Sequence, residues 1–186
     1  MRRAVLLTAV VVIVVGTGLY SSGMLHAGAY STYFGFPTAP ELGSLMSRTY
    51  QQTSPGALNT TNSVAFQAYG LTKTETTAFM TGGNRTAEAY IFITEFSFSS
   101  KGNASSFYDA GLFGDMAVQN ISAGADRLNM SYRGAVYSIL TIATPSRPLH
   151  LMLGHRQNYV FTVLVTDNAQ YRQLVSLARL VIDKMS

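Results

Sequence analysis

Cysteine is absent from this chain. That excludes disulfides, thioether attachment of haem and thiolate-bound metal. Charge is scarce as well: Asp, Glu, Lys and Arg together make 12% of 186 residues, about half the share usual in a soluble domain. The net charge of +4 falls to +2 without Arg2 and Arg3, too weak a field to recruit nucleic acid. Also missing are a G-x-S-x-G elbow, a Gly-rich phosphate loop and a dinucleotide fingerprint. No internal repeat or low-complexity tract is visible.

Neutral polar residues hydrate the surface in place of charge. About one residue in five is Ser or Thr, and five of the eight Asn lie in N-x-[ST] sequons: Asn59, Asn84, Asn103, Asn120 and Asn129. Chance at this composition gives one or two, so the excess predicts N-glycosylation of an exported protein. Asn103 is also placed to cap a helix. With nine carboxylates in all, few groups are available for acid to titrate, and protonation of carboxylates drives most acid unfolding. The composition therefore predicts tolerance of an acidic exterior, as at the surface of acid-living archaea.

The one long apolar run is Ala4 to Tyr20 (AVLLTAVVVIVVGTGLY), directly after Arg2-Arg3. As a helix its 17 residues span about 25 Å, and continuation through Leu25 reaches the ~30 Å of a bilayer core. The next cation is Arg48, so the positive-inside rule keeps the N-terminus cytoplasmic and exports the rest. An A-x-A site at Ala27–Ala29 offers cleavage as a signal peptide. Tyr30, Tyr33, Phe34 and Phe36 suit the membrane–water interface of an uncleaved anchor, which is the preferred reading. The expected division is 1–29 anchor or signal peptide, 30–62 juxtamembrane segment with a short helix, and 63–186 extracytoplasmic domain.

Within 30–62, Thr38 and Glu41 have capping-box spacing and Pro40 falls in the first turn, so a helix is expected to about Tyr50. Gln51 to Asn62 reads as a loop. Strands are predicted at Val64–Ala68, Thr74–Met80 and Ala87–Phe98, the last apolar on both faces and therefore central. Ser99–Ala104 reads as a polar break and Ser105–Gln119 as a helix. Asp126–Tyr132 and Ala135–Ala143 form a hairpin about Arg133-Gly134. Leu149–Leu153 and Tyr159–Thr166 form another, about a turn at Gly154–Asn158. Asp167 or Asn168 is expected to cap a closing helix to Met185 whose stripe of Tyr171, Leu174, Val175, Ala178, Val181 or Ile182, and Met185 faces the core. The fold class is α+β: an N-terminal transmembrane helix, then an antiparallel sheet of about six to seven strands with helices packed on it. In outline it resembles the small extracytoplasmic α+β sandwiches of bacterial and archaeal anchored proteins and lipoproteins.

Chemistry is thin. His150, Met152 and His155 form H-x-M-x-x-H, an imidazole–thioether set that suits copper. With His150 and Met152 on one strand face and His155 in the following turn, a full site would still need another ligand. His26 lies near the membrane. No metal, cofactor or catalytic residue is expected. Glu88 and Glu95 flank the central strand, and Asp109 and Asp115 lie on the middle helix. Glu95 is expected at the exposed end of its strand; buried, its pKa would rise.

The function expected is binding rather than catalysis: a membrane-anchored accessory subunit, sensor or scaffold with a protein partner at the membrane or cell surface. One alternative is a glycosylated surface filament, since Arg3-Ala4 before an apolar helix resembles an archaeal type IV pilin leader. The other is an exported hydrolase or copper protein.

Overall fold

The computed structural model describes residues 35–52, 56–57, 68–81, 89–109, 125–142 and 148–185. The expected leader helix, the A-x-A site, Tyr30, Tyr33, Phe34, His26, most of the strand expected at Val64–Ala68, Glu88, Asp115 and the sequons at Asn59, Asn84 and Asn120 lie outside these residues. Among the described residues no helix is long and apolar enough to cross a membrane.

Helix α1 (Ala39–Met46) starts where its local chemistry dictates. Thr38 Oγ1 accepts from the Glu41 backbone N–H, while the Glu41 carboxylate accepts from the Thr38 N–H at 2.7 Å. Each side chain satisfies a donor that the first turn leaves open. The helix stops at Ser47, in the left-handed region at φ 56°, short of the expected Tyr50. The segment after it is not simply a loop. Strands β1 (Gln51–Gln52) and β2 (Gly56–Ala57) both pair with the outer edge of β3 (Leu71–Met80). Since Leu42, Met46 and Tyr50 are buried in the main core and β1 and β2 join the sheet, residues 39–52 and 56–57 belong to the folded unit.

β3 pairs with β4 (Tyr90–Phe98). Helix α2 (Lys101–Asp109) then leads toward a four-strand meander: β5 (Ala125–Tyr132), β6 (Ala135–Ile142), β7 (Leu149–Arg156) and β8 (Tyr159–Val165). The β5–β6 turn takes positive φ at both Arg133 (48°) and Gly134 (77°), the twist that matches a two-residue hairpin. β8 inserts beside β4, so the all-antiparallel order is β3-β4-β8-β7-β6-β5, with β1 and β2 on the outside of β3. β4 is central, as its apolar pattern requires.

Strand alternation gives the sheet two apolar faces. On one, Phe79, Ile91, Ile93, Tyr137, Ile139, Met152, Phe161, Val163 and Val165 meet α1 and the closing helix α3 (Tyr171–Lys184). On the other, Phe96, Phe98, Leu140, Leu151, Leu153 and Val160 meet Ala104, Phe107 and Tyr108 of α2. The result is a three-layer α+β sandwich.

Two helix starts differ from expectation. α2 begins at Lys101 because Ser100 Oγ accepts from the Asn103 N–H at 3.1 Å, so Ser100 rather than Asn103 makes the capping contact. α3 begins after Gln170, not after Asp167 or Asn168, and only Gln173 Oε1 returns a bond to its first turn. A missing N-cap costs about 1 kcal/mol. Burying Leu174, Leu177, Ala178, Val181 and Ile182 outweighs that, at roughly 1.5–3 kcal/mol for each large side chain. Tyr171, expected in the stripe, is half exposed, and Leu177 takes its place in the core.

Candidate functional site

The H-x-M-x-x-H residues do not converge. β7 runs through Gly154 to Arg156, so His155 lies in the strand rather than in a turn. Strand alternation then sends it to the face opposite His150 and Met152. His155 packs on Tyr108 of α2, ring centroids 4.8 Å apart. His150 Nδ1 instead meets Thr141 Oγ1 at 2.9 Å, and Met152 fills the core under α3. Burial pushes both imidazoles below the usual histidine range, opposed by Asp167 near His150 and by Asp109 near His155. Among the described residues no three His, Asp or Glu side chains gather as a metal site.

His150 belongs to a polar cluster at one rim of the sandwich. The centre of this cluster is Asp167, expected as a helix cap. Its Oδ2 accepts from Arg48 Nε at 2.9 Å and from the Tyr50 hydroxyl at 3.3 Å, and its Oδ1 from the Asn168 N–H at 2.7 Å. Asp167 and Tyr50 are both buried. Burial, then the neighbouring carboxylate, pushes the Tyr50 hydroxyl pKa well up, so Tyr50 stays a neutral donor. A hydroxyl, an imidazole and a carboxylate are thus neighbours here. Both Asp167 oxygens are engaged, by Arg48 and Tyr50 on one and by the Asn168 N–H on the other.

The second cluster lies in the sheet interior. Glu95 is fully buried, not at an exposed strand end, because β8 pairs along β4 as far as Ser97. Directly across on β3 stands Glu75, also buried. Lys73 Nζ holds Glu75 Oε1 at 2.6 Å, but neither Glu95 oxygen has a hydrogen-bond partner among the described residues. Burial, then the charge on Glu75, pushes Glu95 up to about 8, so it is a neutral acid at pH 7. Asp109 is a surface group at the end of α2, accepting from Ser105 Oγ at 3.2 Å.

Two grooves open on the surface. One, of about 600 Å³, runs between α1 and α3 and is lined by Glu41, Leu45, Arg179, Leu180 and Asp183. The other, of about 540 Å³, lies along α1 from Ala39 to Tyr50. Neither is lined by Glu95, His150 or His155. Of the described sequons, Asn129 is exposed on edge strand β5 and accepts from Ser138 Oγ at 2.7 Å. Asn103 Nδ2 donates to Ser99 Oγ at 2.9 Å.

The three-layer architecture has a counterpart among solved structures. The chain superposes on the extracellular domain of PknH from Mycobacterium tuberculosis with a TM-score of 0.58, covering 81% of this chain and 92% of that one at 12% identity. What the two share is the fold. No protein-family model matches the chain, and no curated protein matches it by sequence.

The Asp167 cluster and the Glu75–Glu95 pair were not legible in the sequence, because both depend on pairings between distant segments. The only advance signal was a lone Glu in an otherwise apolar central strand.

Proposed function

We propose that this chain is an extracytoplasmic binding module, acting as a sensor, scaffold or accessory domain and held at the membrane by the apolar run at residues 4–20. The observation that carries this reading is the fold shared with an extracellular domain. The Arg2-Arg3 start and the uncharged run behind it support the same sidedness. Recognition rather than reaction fits clusters whose polar atoms are tied to one another or sealed in the sheet.

A reporter enzyme that is active only outside the cytoplasm, fused after Ser186, is expected to be active and to stay with membranes through an alkaline carbonate wash. An inactive fusion recovered in the soluble cytosolic fraction would overturn the reading. In a host that glycosylates exported Asn, peptide mass spectrometry is expected to find Asn129, which is exposed, occupied ahead of Asn103, which is half-buried. The reverse order would show that local accessibility does not govern modification here.

A further inference from the structure

A carboxyl group in a dry sheet interior needs hydrogen bonds, a counter-charge or a proton. Glu95 has neither of the first two among the described residues. Along its own strand Ile91 and Ile93 share its face. On β3 it meets Glu75, whose charge is taken by Lys73. On β8 it meets Phe161, and beyond that stand Gly154 on β7 and Tyr137 on β6, the Tyr137 hydroxyl also buried and without a described partner.

Other charged groups on the elements around this face have partners other than Glu95, Arg179 lying over the Tyr132 ring. Arg156 donates to the Met185 and Ile182 carbonyls. From the helices that cover the face, Lys184 pairs with Glu41, Arg133 of the β5–β6 turn with Asp183, and Arg48 with Asp167. None of these cations is bonded to Glu95, so ionising it would set a second negative charge beside Glu75. Among the described residues the outer edge of β3 is backed by two short strands, β1 and β2, of two residues each.

We propose that Glu95 is a proton-operated latch: while it is protonated the β3–β4 pair stays sealed under the covering helices, and alkaline pH opens that region locally to hydrate the Glu75–Glu95 pair. The sign follows from linkage. The closed form holds a proton that the opened form releases at the ordinary value of 4.5, whereas burial first and Glu75 second keep it bound up to about 8. The advantage of the closed form is complete below 4.5 and is lost as pH rises through 8. The opening constant therefore grows about tenfold per pH unit across that window and levels off above it. This does not depend on which side of a membrane the domain occupies, so failure of the reporter experiment leaves it standing.

The test uses the full chain in detergent, with ¹³C-labelled Glu carboxyls followed by NMR. One resonance is expected to titrate near pH 8 and to be absent from Glu95→Gln. Hydrogen exchange of peptides covering 71–80 and 90–98, corrected for intrinsic rates, is expected to rise with pH in the wild type and to stay flat in Glu95→Gln. Glu75→Gln is expected to move the midpoint to lower pH, since the repulsion is gone. All Glu carboxyls titrating below pH 6 would overturn the latch, as would wild type and Glu95→Gln exchanging alike. Should Glu95→Gln fail to fold, the wild-type titration and the Glu75→Gln shift decide alone.

Discussion

Gly154→Ala is expected to destabilise the domain by about 3 kcal/mol, at the upper end of the usual overpacking cost. Gly154 sits in mid-strand on β7, paired with Phe161 on β8 and Tyr137 on β6. An alanine Cβ there would stand 2.5 Å from Phe161 Cε1 and Cζ and 2.7 Å from Tyr137 Cβ. The ring can swing only by leaving a fully buried position, and the Tyr137 Cβ is fixed to its backbone. The aromatic ring lying over the glycine replaces the contacts that a side chain would have made, a known way for a strand to carry glycine. Urea denaturation should show a lower midpoint with an unchanged slope. Phe161→Leu should be less harmful in the Gly154→Ala background than alone, a coupling of 1 kcal/mol or more. A Gly154→Ala midpoint within error of wild type would mean that the sheet yields where the packing says it cannot.

Asp167→Ala is expected to cost a similar amount, about 3 kcal/mol, the low end for breaking a buried pair because Arg48 is partly exposed. The substitution strips the acceptor from a buried Tyr50 hydroxyl and from Arg48, and it removes the Asn168 bond as well. Since Arg48 and Tyr50 follow α1 directly, the loss should appear first as faster hydrogen exchange in residues 39–52. Arg48→Ala should also destabilise, since it leaves the buried Asp167 carboxylate without its counter-charge, but by less than Asp167→Ala because the Tyr50 and Asn168 bonds remain. Equal costs for the two substitutions would show that the ion pair matters and the buried hydroxyl does not.

These two sites mark the limit of what the chain discloses in one dimension. The Thr38–Glu41 capping box, the Arg133-Gly134 hairpin and most of the α3 stripe could be read because each is decided within a few residues. Asp167 looked like a cap because Asp beside Asn before an apolar stripe usually is one. Its partner Tyr50 is 117 residues away, and a long-range bond outcompeted the local one. Gly154 looked like a turn for the same reason, since only the ring of Phe161 makes it a strand residue. Ser99–Ala104 looked like a break because Gly, Asn and Ser are weak helix formers, yet Phe107 and Tyr108 dock on the sheet and draw the helix start back to Lys101. Glu95 was misplaced because the extent of β8 alongside β4 is a property of the pairing, not of either strand.

The position of Gly35 has a geometric consequence. Its α-carbon lies against the Lys184 carbonyl, so the described chain enters and leaves at one corner. α3, 14 residues long, rises from that corner by roughly 21 Å to the rim that carries Asp167, His150 and Tyr50. That sets the corner where the described chain begins and ends at one pole of α3, and the rim with its buried carboxylate at the other.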